Sequence, residues 1–165
     1  MKLSFRHLAA TTTGLAFGLI LLGVYTGAIG AGLACGAAWP FCDGWLGLFP
    51  ANWPSFVEWF HRLVAMITGF FIIGTAVAAW RSGKDRLIRY GATLAVLALP
   101  IQVLLGANTI FNYGATAQVL HHTAAQIIFG SLAVVTTAAF LRADSPSATE
   151  AEVEAETGSI SQADD

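Results

Sequence analysis

The stretch LACGAAWPFCDGWLGLFPANWPSFVEWFHRL, Leu33 to Leu63, lies between two long apolar runs and decides how the chain is divided. It holds both cysteines, four of the five tryptophans, three of the five prolines, and a Glu and a His three residues apart. Proline lacks a backbone donor and breaks helices, so this stretch closes one element and opens another. Before it runs an apolar segment from Leu8 to Ile29, and after it one from Phe56 to Trp80.

The same pattern recurs downstream, in runs from Ile88 to Ala107 and from Ala117 to Leu141. Crossing a bilayer core of about 30 Å takes about 20 apolar residues in a helix. The chain is 56% hydrophobic and 11% charged, with mean hydropathy +0.66, far from the roughly 25% charge of a soluble domain. Four spans, and an all-α four-helix membrane bundle over residues 1–142, are therefore expected. The first run is too long and too rich in threonine for a cleaved signal peptide, and nothing in the composition marks a nucleic-acid partner.

Lys2, Arg6, Arg81, Lys84, Arg86, Arg89 and Arg142 are seven of the eight basic residues, and alternating spans put all seven on one side. The positive-inside rule makes that side, with both termini, cytoplasmic. The quoted stretch and the loop from Asn108 to Thr116 then face outward in a multi-pass cell-membrane protein. Residues 143–165 carry seven acidic residues and no basic one, which implies a disordered acidic cytoplasmic tail.

Four histidines are present. His7 sits beside Arg6 at the entry of the first span and reads as interfacial. His61 lies about one turn inside the outer end of the second span, and His121 and His122 about one turn inside the outer end of the fourth. Ionisable groups inside spans are costly and face the bundle interior. Two imidazoles at one depth on two helices form the arrangement that ligates a haem iron from both faces, although histidines near helix ends also bond headgroups or loop carbonyls. Neighbours on a helix diverge by about 100°, so one of His121 and His122 is the counterpart of His61. FHRLVAMITGF (Phe60–Phe70) and LHHTAAQIIFG (Leu120–Gly130) align as H-x-x-x-A, which favours His121 and hints at two related helix pairs.

Glu58 shares a helical face with His61. It reads either as a cap at the helix start or as a proton acceptor or charge stabiliser beside a reacting group; spacing does not separate these. Cys35 and Cys42 enclose six residues, unlike a C-x-x-C redox pair, so a structural outer disulfide is expected. Trp39, Trp45, Trp53 and Trp59 read as an interfacial belt or a lid over a planar ligand. Gly14, Gly18, Gly23, Gly69, Gly74 and Gly130 allow close helix approach or leave room for a macrocycle.

AGLACGAAWPFCDG (Ala31–Gly44), EWFHR (Glu58–Arg62), QVLLGANTIF (Gln102–Phe111) and VLHHTAA (Val119–Ala125) together resemble the haem A synthase family over nearly all of Leu8 to Leu141. The C-G-x-x-W-P-x-C loop followed by E-x-x-H-R carries most of that resemblance. It implies a membrane oxidoreductase that converts the C8 methyl of haem O to the formyl of haem A by two hydroxylations. It also implies His61 and His121 as axial ligands of haem b or of the substrate haem, Glu58 as the catalytic carboxylate, Cys35 with Cys42 as the loop pair, and Arg62 as partner of a haem propionate. Haem O, a haem O synthase that supplies it, and an electron acceptor, quinone or redox protein, are the implied partners.

Two features depart from that family. Its typical members have two similar four-helix halves, one for substrate and one for haem b, whereas this chain holds one half, so a homo-oligomer is expected. VYTGAIGAG (Val24–Gly32) has Gly27 and Ala28 where many members carry a basic residue before the glycine pair. Three other readings compete: a bis-histidine haem b electron-transfer protein, a quinone-coupled thiol oxidoreductase working through Cys35 and Cys42, and a structural assembly subunit that borrows the fold.

Overall fold

The computed structural model describes residues 4–42, 47–48 and 50–143, with the backbone alone at Ala143. Lys2, Trp45 and the acidic segment 144–165 lie outside the described residues. The described residues form four α-helices, α1 (Phe5–Ala28), α2 (Trp53–Arg81), α3 (Arg86–Phe111) and α4 (Ala115–Ala143), with a short 3₁₀ turn at Ala31–Leu33. Each is long and apolar enough to cross a membrane, and there is no strand among the described residues.

The helix ends follow local chemistry more than hydropathy. α2 starts three residues before the expected Phe56, because Asn52 caps it by accepting from Ser55 N at 3.0 Å and Pro54 occupies the second helical position, where no intrahelical donor is needed. Asp85 caps α3 by accepting from Ile88 N at 3.1 Å. Gly83, with φ 59°, turns the chain between α2 and α3 in a conformation that favours glycine. The third helix passes through Pro100 and continues past Ala107 to Phe111, shortening the expected Asn108–Thr116 loop to 112–114.

Neighbouring helices run antiparallel in a closed ring: α1 packs on α2 and α4, and α3 packs on α2 and α4, while the diagonal pairs do not touch. This is an up-down-up-down bundle. At one end Arg142 pairs with Asp85, Lys84 lies over Phe5, and Arg6 over Phe140. We call this the basic end. The disulfide loop covers the other.

Packing is uneven along the axis. Near the basic end Ala9, Ala76, Ala79, Ile88, Ala92, Val135, Ala138 and Ala139 form one buried cluster, and a second at mid-depth joins Ala16, Ile72, Ala95, Ala98, Ile128 and Leu132. Alanine at these positions lets the backbones approach, which drives helix association in lipid. Hydroxyls tie α1 to its neighbours at the same depth: Thr12 to Thr75 at 2.8 Å, and Thr13 to Thr136 at 2.8 Å. Towards the loop end this filling stops and a cavity opens.

Candidate functional site

The cavity has a volume of about 720 Å³, within the range of small-molecule and cofactor sites. His61 on α2, His121 and His122 on α4, and Glu58 and Arg62 on α2 all line it, so the ionisable residues singled out in the spans meet in one place. α2 and α4 are diagonal in the ring, so His61 and His121 approach from opposite sides. Most of the remaining lining is apolar, including Leu19, Ile20, Met66, Leu99 and Ile128.

His121 lies along α3: its Nε2 is 3.3 Å from the Gln102 amide nitrogen, and its Cε1 faces Gly106. His61 lies against Gly23 of α1 in the same manner. His122 also lines the cavity, its ring centre 6.0 Å from that of His121, but Gln102 and Gly106 engage His121. Nδ1 of His61, Nδ1 of His121, Thr68 Oγ1 and Gln102 Oε1 are buried without a hydrogen-bond partner among the described residues. A buried polar atom left unpaired costs about 1–3 kcal/mol; four of them around one cavity fit a site built for a polar-bearing ligand.

Glu58 is 3% exposed and does not cap α2, whose cap is Asn52. One carboxylate oxygen accepts from Cys35 N at 2.7 Å, and the other pairs with Arg62. Arg62 also donates to the carbonyls of Ala38, at 2.7 Å, and of Phe41. Ser55 Oγ donates to Ala34 O at 3.1 Å. Residues 55, 58 and 62 share one face of α2, and that face fastens the loop closed by the Cys35–Cys42 disulfide. Three of the five guanidinium N–H donors of Arg62 are used in this way, and the residue also lines the cavity.

The tryptophans divide between the two readings. Trp39 and Trp59 line the cavity with Pro40, Phe41 and Leu48, while Trp53 is 61% exposed and stacks on Phe56 with ring centres 5.6 Å apart. Sequence reasoning gave Gly23 only a general part in helix approach or room for a macrocycle, and assigned no role to Thr68, Gln102 or Gly106. A single signal pointed towards two of them: Gln102 and Gly106, one turn apart, both fall in the QVLLGANTIF segment.

These residues fit a haem. Imidazoles from opposed helices, an apolar wall and glycines beneath both rings suit that group.

No family model matches the chain. Among relatives, the haem A synthase of Bacillus licheniformis is 31% identical over 143 residues, 85% of this chain and 47% of that protein. The haem A synthase of Bacillus pumilus is 31% identical over 80% of this chain and 44% of its own length. A protohaem IX farnesyltransferase of Halobacterium salinarum is 40% identical over 77% of this chain but only 27% of that protein. The chain thus spans about half the length of the haem A synthases it matches and about a quarter of the farnesyltransferase.

Fold and site define a multi-pass helical membrane protein with a histidine-lined cavity beneath a disulfide-closed loop. The chain belongs to the haem A synthase family.

Proposed function

We propose that this chain acts as a haem A synthase, oxidising the C8 methyl of haem O to the formyl of haem A in two successive hydroxylations. The observation that carries the reading is the convergence of His61 and His121, from diagonal helices, on an apolar cavity that Glu58 also lines. His61 and His121 would hold the iron. Haem b, when bound, supplies a one-electron relay for electrons leaving the substrate.

Each hydroxylation withdraws two electrons and one proton from the C8 carbon and adds a water, which gives up the second proton as its oxygen bonds to the carbon; after the second round the hydrated aldehyde loses water to leave the formyl. Glu58 takes a proton or stabilises positive charge at that carbon. The Cys35 N–H and Arg62 fix its carboxylate before substrate arrives, which is the pre-organisation such a role needs. Electrons leave to an acceptor, a quinone or redox protein, and haem O comes from the synthase that makes it. A homo-oligomer providing substrate and cofactor sites belongs to the same proposal.

The rivals draw less support. A thiol oxidoreductase needs an accessible cysteine pair, and Cys35 and Cys42 are 4% and 5% exposed. A farnesyl transfer has to hold a diphosphate, usually through cations bridged by several carboxylates, and Glu58, the one carboxylate lining this cavity among the described residues, is engaged by Arg62. An electron-transfer cytochrome leaves Glu58 only its structural contacts with Cys35 and Arg62 and no part at the cavity it lines.

The test is co-expression with a haem O supply, purification in detergent and chromatography of the extracted haems, beside a His61→Ala control. Haem A in the parent protein and none in the control is expected. Haem b alone, unaltered by added haem O, would replace the proposal with the electron-transfer reading.

A further inference from the structure

Two glycines stand out because of what a side chain on them would meet. A Cβ built on Gly23 of α1 falls 3.0 Å from His61 Cε1, 3.7 Å from its Nδ1 and 3.9 Å from its Nε2. One built on Gly106 of α3 falls 3.2 Å from His121 Cε1 and 3.6 Å from its Nδ1. The three nearest atoms at Gly23 all belong to His61, and at Gly106 those within 4 Å among the described residues all belong to His121. The same ring edge, Cε1–Nδ1, faces the glycine in both cases.

This pattern repeats between the two hairpins of the bundle. In α1–α2 and in α3–α4, the first helix gives the glycine and the second gives the imidazole. Glycine in the helix interior costs about 0.5–1 kcal/mol relative to alanine, so its presence asks for a reason. Close helix packing is the reason elsewhere: a Cβ on Gly91 would strike Val135 at 2.8 Å, and one on Gly69 would touch Leu99. At Gly23 and Gly106 the space serves the rings. Gly14, Gly18, Gly74 and Gly130 face open space.

One turn before each glycine the hairpins differ. Gln102 lies one turn before Gly106 and meets His121 Nε2; the matching position on α1 is Leu19, which lines the cavity without a polar group to offer. An iron bound at His121 Nε2 would take the place of that amide, so a glycine against Cε1 is the contact that the two rings share as ligands.

We infer that Gly23 and Gly106 are positioning residues that set the orientation of the His61 and His121 rings as haem ligands. The inference rests on the functional reading above. A methyl at either position sits closer to Cε1 than van der Waals packing allows, and the ring has to turn or shift by a few tenths of an ångström. The contact at Gly23 is the closer of the two, so the His61 ring has to move further.

The test is titration of ferric haem b into detergent-purified Gly23→Ala and Gly106→Ala, with Gly18→Ala and Gly130→Ala as controls. Low-spin electron paramagnetic resonance reads the mutual orientation of the two imidazoles. Both seat variants are expected to bind haem with a shifted largest g value, more so for Gly23→Ala, while both controls match the parent. Parent-like signals in both seat variants, or equal shifts in the controls, would overturn the inference. In a His61→Gly background supplied with free imidazole, Gly23→Ala should cease to matter; a persisting shift would also count against it, and this arm serves if Gly23→Ala alone does not accumulate. Absence of low-spin haem in the parent would instead sink the functional reading.

Discussion

Glu58 joins chemistry and architecture in one side chain. Its two carboxylate oxygens engage the Cys35 N–H and Arg62, so removing it affects the loop as well as any reaction. Hydrogen bonds to charged groups contribute about 1.5–3 kcal/mol each. Glu58→Ala should therefore abolish haem A and loosen the loop by about 3 kcal/mol, read as faster reduction and labelling of Cys35 and Cys42. Glu58→Gln keeps an oxygen acceptor for Cys35 and should lose product while the disulfide stays protected. Wild-type haem A from Glu58→Gln would show that the carboxylate charge is not needed. At this scale His61, His121, His122, Glu58 and Arg62 were legible because ionisable groups are rare within apolar runs. The attachment of Arg62 to Ala38 and Phe41 was not, since it depends on how the loop folds back. Gly23 stood out in the sequence only as one of six small-residue positions and Gly106 only inside the QVLLGANTIF segment, and the three-dimensional placement of the imidazoles separates both from the other glycines.

The helices themselves were readable from hydropathy, but neither their ends nor their rotation was. A run of apolar side chains says nothing about the asparagine that caps α2 at Asn52, or about α3 carrying on through Asn108 to Phe111. In lipid a helix is apolar on nearly every side, so no stripe tells which face looks inward. Threonines resolve that ambiguity once the fold is known. Thr12 and Thr75 meet at 2.8 Å between α1 and α2, and each also lies 2.8 Å from the carbonyl four residues earlier, Leu8 O and Phe71 O. One hydroxyl donates across the interface while the other donates within its own helix. Interhelical hydrogen bonds in membranes average about 0.6 kcal/mol, so Thr12→Val should lower unfolding free energy in detergent by about that amount. Thr75→Val added to it should cost little more. Fully additive losses in the double variant would mean that the two hydroxyls do not interact.

The whole molecule is polarised along its axis, filled with alanine and threonine at one end and hollow at the other. Arg6, Arg81, Lys84, Arg86, Arg89 and Arg142 collect at the filled end, where Asp85 caps α3 and pairs with Arg142. Arg62, at the hollow end, is neutralised by Glu58. Basic residues flanking spans are retained in the cytoplasm, and a disulfide persists in oxidising surroundings, so both features predict the same orientation: the filled end inside, the Cys35–Cys42 loop and the cavity beneath it outside. Single-cysteine labelling tests this directly, because the native pair is already oxidised. Asn112→Cys, exposed between α3 and α4, should react with a membrane-impermeant maleimide on intact cells; Ser82→Cys, exposed between α2 and α3, should react only after the cells are opened. The reverse pattern would turn the cavity towards the cytoplasm. The disulfide would then lie in a reducing compartment, and the fastening of the loop to Ser55, Glu58 and Arg62 would have to hold the cavity roof without it.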